Sequence, residues 1–196
     1  MMLELNGMLL LVVLLALLFD FSNGWHDSAN AIATVVSTRV VSPLVAVIGA
    51  GILNVAGAFM STAVAKMVGS GIVDPSTVTQ QMVASALAGA ILWNLFTLLL
   101  GLPTSSSHAL IGGMVGAAVT HGGWGTVKLS GLRSVLEAMV LSPFFGFALG
   151  LSLMVLISWL FFRVPRGIAT KIFKRLQLLS ACFMAFSHGA NDAQKA

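Results

Sequence analysis

Apolar runs alternate with short polar motifs along this chain. The first run, Met8 to Phe19, is too short to cross a bilayer alone, since a span needs roughly 20 residues. It continues as the weakly polar stretch Asp20 to Ser37, so the pattern predicts either one long helix or a broken one. A second segment is predicted from Pro43 to Val68, ending around Lys66 and Gly69. The loop Ser70 to Thr79 after it holds the turn signal Asp74-Pro75. A third segment runs from Gln81 to Leu102, where Pro103 breaks the helix. Residues 103–120 then read as a re-entrant half-helix: a group of hydroxyls followed by the short apolar piece Ala109 to Thr120. A glycine-rich loop, His121 to Ser130, leads to a further span over Leu136 to Phe162, with Pro143 as a point of kinking. A basic block follows. Leu176 to Phe186 then opens a last apolar run, which ends in the polar stretch Ser187 to Lys195.

That last segment repeats the first. Phe21-Ser-Asn-Gly-Trp-His-Asp-Ser-Ala-Asn-Ala31 and Phe186-Ser-His-Gly-Ala-Asn-Asp-Ala-Gln-Lys-Ala196 share Phe, Ser, Gly, Asp and the final Ala in one register. Each copy follows an apolar run, and internal repeats of this size mark secondary transporters. The second copy runs into the last residue, so a second half of similar length is expected to follow.

Composition turns these apolar runs into membrane segments. The chain is 58% hydrophobic and 8% charged, with mean hydropathy +0.99, where a soluble domain is about 25% charged. Such a surface is solvated by lipid, so the expected fold class is an all-α, polytopic membrane protein. The 20 glycines suit close helix packing in a bilayer. The single cysteine, Cys182, allows no intrachain disulfide and reads as a small apolar residue. The net charge of +4 is not a nucleic-acid signal, because Arg163, Arg166, Lys171, Lys174 and Arg175 form one block with no acidic residue. Beside a span, such a block reads as a cytoplasmic loop. The N-terminus carries Glu4 rather than a basic region and lacks a small-residue cleavage site, so it reads as the first membrane segment and not a signal peptide.

Two constellations carry chemistry. Asp20, Asn23, Asp27, Asn30 and Thr34, continued by Ser37, recur at spacings of three and four, which makes one polar stripe on a helix. A charge at membrane depth costs at least ~2.5 kcal/mol on insertion scales, so it normally faces a protein interior or a water-filled path. A seam gluing helices together is the plainer use of such a stripe. Asp27 exceeds that use, because the repeat supplies a matching carboxylate in Asp192. The second constellation is Gly101-Leu-Pro-Thr-Ser-Ser-Ser-His108. It puts Thr104, Ser105, Ser106 and Ser107 at the start of a half-helix, where free N–H groups and the dipole attract anions. An ordinary N-cap with surplus serines is the plainer alternative.

Together the two constellations pose an electrostatic problem. Asp27 and Asp192 repel an anion held by the serines, by several kcal/mol at close range in a medium of reduced dielectric. Cations or protons bound by the carboxylates relieve the repulsion, which points to cation-coupled anion transport. His26 lies beside Asp27 in sequence and titrates near neutral pH when unperturbed, which favours a proton as the coupling ion. Asp27, Asn23, Asn30 and nearby carbonyls would supply oxygen ligands for sodium instead. His108 and His188 read as hydrogen-bonded structural residues. Neither a Gly-x-Ser-x-Gly elbow nor a His-Glu-x-x-His motif occurs, so an enzyme is not expected, and no cofactor or resident metal site is expected either. A carrier of another oxyanion, such as sulfate, and a non-transporting membrane scaffold are the other classes that fit.

The three motifs are similar to those of one family. Asn23-Gly-Trp-His-Asp-Ser-Ala-Asn-Ala-Ile-Ala-Thr34 resembles the first signature of the inorganic phosphate transporter (PiT) family. Phe186-Ser-His-Gly-Ala-Asn-Asp-Ala-Gln-Lys195 resembles the second, and Gly101-Leu-Pro-Thr-Ser-Ser-Ser-His108 its serine segment. The resemblance implies half of an inverted-repeat secondary transporter in a bacterial plasma membrane. Residues 1–162 would be the first repeat, containing motif 21–38 and the re-entrant segment 103–120. Residues 163–175 would be a cytoplasmic loop, and 176–196 the start of a truncated second repeat. It also implies that Asp27 and Asp192 lie at a central site, and that Asn30, Asn191 and the hydroxyls of Thr104 to Ser107 line phosphate and ion positions. The coupling ion would be a proton or sodium, with His26, Asn23, Asp27 and Asp192 at its seat. His26, where much of the family has Asn, resembles the bacterial low-affinity branch, which carries phosphate with divalent metal. The implied partners are inorganic phosphate, the lipid bilayer and a second copy of the chain, with no nucleic acid.

Overall fold

In the computed structural model the described residues are 7–60, 66–192 and 195. Among them the regular structure is helical: α1 (Gly7–Ser37), α2 (Pro43–Ala58), α3 (Gln80–Leu99), α4 (Ser106–Gly122), α5 (Leu129–Phe161) and α6 (Arg166–Asp192). A π-helical turn (Met67–Gly71) and 3-10 turns (Pro75–Thr77 and Trp124–Thr126) lie between the longer elements. An isolated antiparallel bridge between Val73 and Val127 ties the α2–α3 connection to the α4–α5 connection.

Helix α1 runs through its polar half without a break, and Ser22 there pairs within the helix and with α3. The Ser22 hydroxyl donates to Phe19 O at 2.8 Å, and Asn94 Nδ2 on α3 donates to Ser22 Oγ at 3.2 Å. The second predicted segment is helical to Ala58, and its continuation passes through residues 61–65, which lie outside the described residues. Asp74 caps the turn that follows. Its carboxylate accepts from the Ser76 N–H at 3.0 Å and the Ser76 hydroxyl at 2.9 Å, which holds it below the usual carboxylate range.

Helix α3 ends as its sequence requires. Gly101 takes φ +65, Leu102 N–H donates to Thr97 O at 2.9 Å and Gly101 N–H to Leu98 O at 3.1 Å. This is a Schellman stop, which needs a left-handed residue and favours glycine. Pro103 follows, and Ser105 then caps α4, its hydroxyl accepting from His108 N–H at 3.4 Å. The half-helix is longer than its apolar piece suggested, reaching back to Ser106 and on to Gly122.

One expectation fails. The basic block 163–175 is not a loop: only residues up to Pro165 lie outside the helix, and Arg166, Lys171, Lys174 and Arg175 stand on the first turns of α6. Pro165 accepts from the N–H groups of Ile168 and Ala169 at 3.0 Å each, which starts the helix. Lys and Arg are good helix formers. Their charge calls for water or lipid headgroups, and it does not break the helix.

Helix α1 is the shared element of the packing: α2 pairs with α6, α3 pairs with α4, and α1 touches both pairs. Phe19, Leu87, Ala90 and Leu110 are the buried core between α1, α3 and α4. Val35, Ala46 and Ala181 are the core between α1, α2 and α6. Glycine permits the close approach of α2 and α6, since a Cβ at Gly189 would strike the backbone of Asn54 and one at Gly57 the backbone of Phe186. Helix α5 has no buried residue and meets the rest of the described chain near its start, where Leu132 packs against the cluster of Ile72 and Val73. α1, α3 and α5 are long and apolar enough to cross a membrane. At 1.5 Å per residue α3 alone is about 30 Å long, the thickness of the hydrocarbon core.

Candidate functional site

The polar residues of α1 divide between two neighbours. Ser22 and His26 face α3, where His26 Nε2 donates to Asn94 O at 3.0 Å. Asn23 and Asp27 face the start of α4. The Ser106 hydroxyl lies 2.5 Å from Asn23 Oδ1 and 3.4 Å from Asp27 Oδ2, and both Asn23 and Ser106 are buried. The first motif and the serine segment, far apart in sequence, therefore meet at one hydroxyl.

The second motif comes to the same place from α6. His188 Nε2 lies 3.9 Å from Asp27 Oδ2 and 3.5 Å from Asp192 Oδ2. Asp27, His188 and Asp192 each offer a ligand atom within 4.8 Å of the others. The hydrogen-bond network decides the histidine tautomer. Asn54 Nδ2 donates to Ala50 O at 2.8 Å, which turns Asn54 Oδ1 toward His188 Nδ1 at 2.6 Å. Nδ1 therefore carries the proton. Nε2, buried and without a hydrogen-bond partner, faces two carboxylates beyond hydrogen-bond range. A neutral imidazole nitrogen beside two carboxylates is suited to sharing a proton or a cation with them. Lys195 adds an ammonium 2.7 Å from Asp192 Oδ1 and 2.5 Å from Ser107 Oγ.

These contacts sort the residues expected from the sequence. Asn23, Asp27, Ser106, Ser107 and Asp192 come together. Thr104 and Ser105 do not join them. With Pro103, His108, Trp93 and Gly112 they line an open cavity of about 600 Å³ between α3 and α4. Asn30 is exposed, as is Asn191, whose side chain donates to Ser187 O at 2.9 Å on its own helix. Thr34 and Ser37 are exposed too. The imidazole facing Asp27 belongs to His188, not to its sequence neighbour His26. Ala193, Gln194 and Ala196 of the second motif lie outside the described residues.

A profile of the phosphate transporter family matches residues 23–196, through both motifs and the serine segment. The chain belongs to the phosphate transporter family. The family is one of membrane transporters rather than enzymes, and the apolar helices agree with an integral membrane protein that crosses the bilayer several times. A probable low-affinity inorganic phosphate transporter of Rhizobium meliloti (strain 1021) is 47% identical over 185 residues, covering 94% of this chain and 55% of that protein. One of Streptomyces halstedii is 48% identical over 185 residues, covering 93% and 86%. The low-affinity inorganic phosphate transporter PitB of Escherichia coli (strain K12) is 35% identical over 221 residues, covering 97% and 44%. The chain thus spans about half the length of the Rhizobium and Escherichia relatives. A solved structure described as the sodium-dependent phosphate transporter superposes with TM-score 0.86 at 21% identity, covering 97% of this chain and 65% of that one. That likeness bears on the fold.

Three members of the cluster are not evident from the sequence. His188 reads there as structural, Lys195 as one residue of the repeat, and Asn54 carries no local signal. The available signal was the register of the repeat. It pairs Asn23 with His188 and Asn30 with Lys195, so it set two residues able to bind or carry charge at positions where the first copy has amides.

Proposed function

We infer that the intact protein carries inorganic phosphate across the membrane together with a cation. The observation that carries this reading is the meeting of the first turn of α4, with its Ser106 and Ser107 hydroxyls, and the carboxylates of both motif copies. The N-terminus of α4 offers phosphate N–H groups and a positive dipole end. Asp27 and Asp192 repel the anion until a positive charge joins them, and that requirement couples the two movements. A proton is the favoured coupling ion. It is received by Asp27, Asp192 and the free Nε2 of His188, the group that takes the place of His26 in this role. Sodium is the alternative, with Asp27, Asp192 and Asn23 as oxygen ligands.

A second reading, in which phosphate travels with a divalent metal, is favoured by the same three groups. A neutral imidazole nitrogen and two carboxylates suit a borderline divalent ion, and the Asn54 contact orients the imidazole as second-shell partners do. Labelled phosphate uptake into proteoliposomes, with sulfate as competitor and proton, sodium and manganese gradients imposed separately, tests both readings. Phosphate entry driven by one of these gradients and indifferent to sulfate is the expected result. Entry of sulfate at an equal rate, or of neither anion, overturns it. Labelled manganese entering in step with phosphate selects the second reading.

A further inference from the structure

We propose that Lys195 is a tethered cation, whose ammonium fills a seat beside Asp192 and Asp27 that a mobile monovalent cation would otherwise occupy. The inference rests on the cation-coupled reading of the same site and goes beyond it, by naming the residue that sets how many cations the site takes up.

Lys195 is only 6% exposed, a state lysine almost never adopts without a charge partner. Its partner is Asp192, at 2.7 Å, within the range of a charge-assisted bond. Asp27 belongs to the same cluster, since ligand atoms of Asp27, His188 and Asp192 lie within 4.8 Å of one another. Two carboxylates thus stand beside one ammonium. The location argues that they hold it there. Ser107, its second contact, lies in the first turn of α4, where the dipole repels a cation. A lysine settles in that position only because the carboxylates outweigh the dipole.

The repeat supplies the comparison. The position answering Lys195 in the first copy is Asn30, which is neutral and exposed. An amide there leaves the local charge to be balanced by ions from solution, whereas an ammonium carried by the chain needs no ion. Replacing Lys195 with a neutral side chain removes one positive charge from the cluster, and one more external cation should then bind for each anion.

Intact wild-type protein is compared with Lys195→Asn, Lys195→Gln and Lys195→Arg, each first checked for monodispersity in detergent. Thermal unfolding is followed in lithium, sodium and potassium chloride, with choline chloride keeping ionic strength constant and no phosphate present. The neutral variants should gain a rise in Tm with one of these cations that exceeds the rise in wild type and in Lys195→Arg. Phosphate uptake by the neutral variants in proteoliposomes should fall at least about tenfold at low concentration of that cation and recover at high concentration, with a dependence steeper by one ion. Two neutral variants guard against one of them misfolding. Equal loss of uptake at every cation concentration, with no added effect on Tm, overturns the proposal and makes Lys195 an anion ligand or a structural residue. Unchanged uptake and Tm in the neutral variants overturns it as well, as does Lys195→Arg behaving like them. Failure of the phosphate reading itself shows separately, as absence of phosphate uptake by wild type, and the phosphate-free unfolding series still decides the role of Lys195.

Discussion

Helices α1 and α6 carry the same framework of Phe, Ser, Gly and Asp, and they use it differently. On α1 the aspartate is accompanied by Asn23, which meets the buried Ser106 hydroxyl, while His26 is spent on a carbonyl of α3. On α6 it is accompanied by His188, held by Asn54, and past the helix end by Lys195, which reaches Ser107. The first copy brings neutral donors and acceptors to the serines, and the second brings an imidazole and an ammonium. The difference separates what the repeat must keep from what it varies. The carboxylates belong to both copies, and the groups that set charge around them belong to one.

The largest effect expected is on the shared part. Asp27→Asn and Asp192→Asn should each abolish coupled phosphate uptake by the inserted protein. Full uptake in either variant would show that one copy suffices. Next comes the serine segment. Ser106→Ala should weaken phosphate binding by about 1.5–3 kcal/mol, as for a hydrogen bond to a charged group. Thr104→Ala, which faces the separate cavity, should leave phosphate binding nearly unchanged, and titration calorimetry on the purified protein distinguishes them.

Equivalent glycines give a third contrast. Gly189→Ala drives a methyl into the Asn54 backbone and should lower stability by about 1–3 kcal/mol. Gly24→Ala meets nothing within 4 Å and should change stability by no more than about 1 kcal/mol, in the favourable direction that helix propensity gives. Thermal unfolding in detergent compares the pair. The smallest effect concerns the histidines. His188→Asn should move the pH midpoint of uptake, while His26→Asn should leave it in place. The opposite ranking would return the proton role to α1.

What could be read from the sequence was whatever helix geometry decides locally. The spacing of Asp20, Asn23 and Asp27 placed them on one face, and Gly101-Leu-Pro before four hydroxyls marked a helix stop and a fresh start. The register of the repeat paired Asp27 with Asp192 before any packing was known. The misreadings came from features that packing decides. Asn30 continues the stripe, yet its side chain is exposed. Thr104 and Ser105 stand next to Ser106, but the start of α4 turns them toward the other side. The basic block suggests a loop, yet charge reports the solvent and says nothing about backbone shape. Asn54 had no signature at all, since its role depends on α2 and α6 touching through Gly57 and Gly189.

Helix α5 has a consequence for the membrane around it. The Arg133–Glu137 ion pair, at 2.7 Å, marks its last charged turn. From there to Phe161 the helix is apolar for roughly 36 Å at 1.5 Å per residue, against a hydrocarbon core of about 30 Å. With no buried residue to anchor it, the surplus is taken up by tilting or by stretching the nearby lipid chains, at a cost of a fraction of a kcal/mol per ångström. Hydrophobic mismatch would then make the tilt of this helix follow the acyl-chain length of the lipid around it.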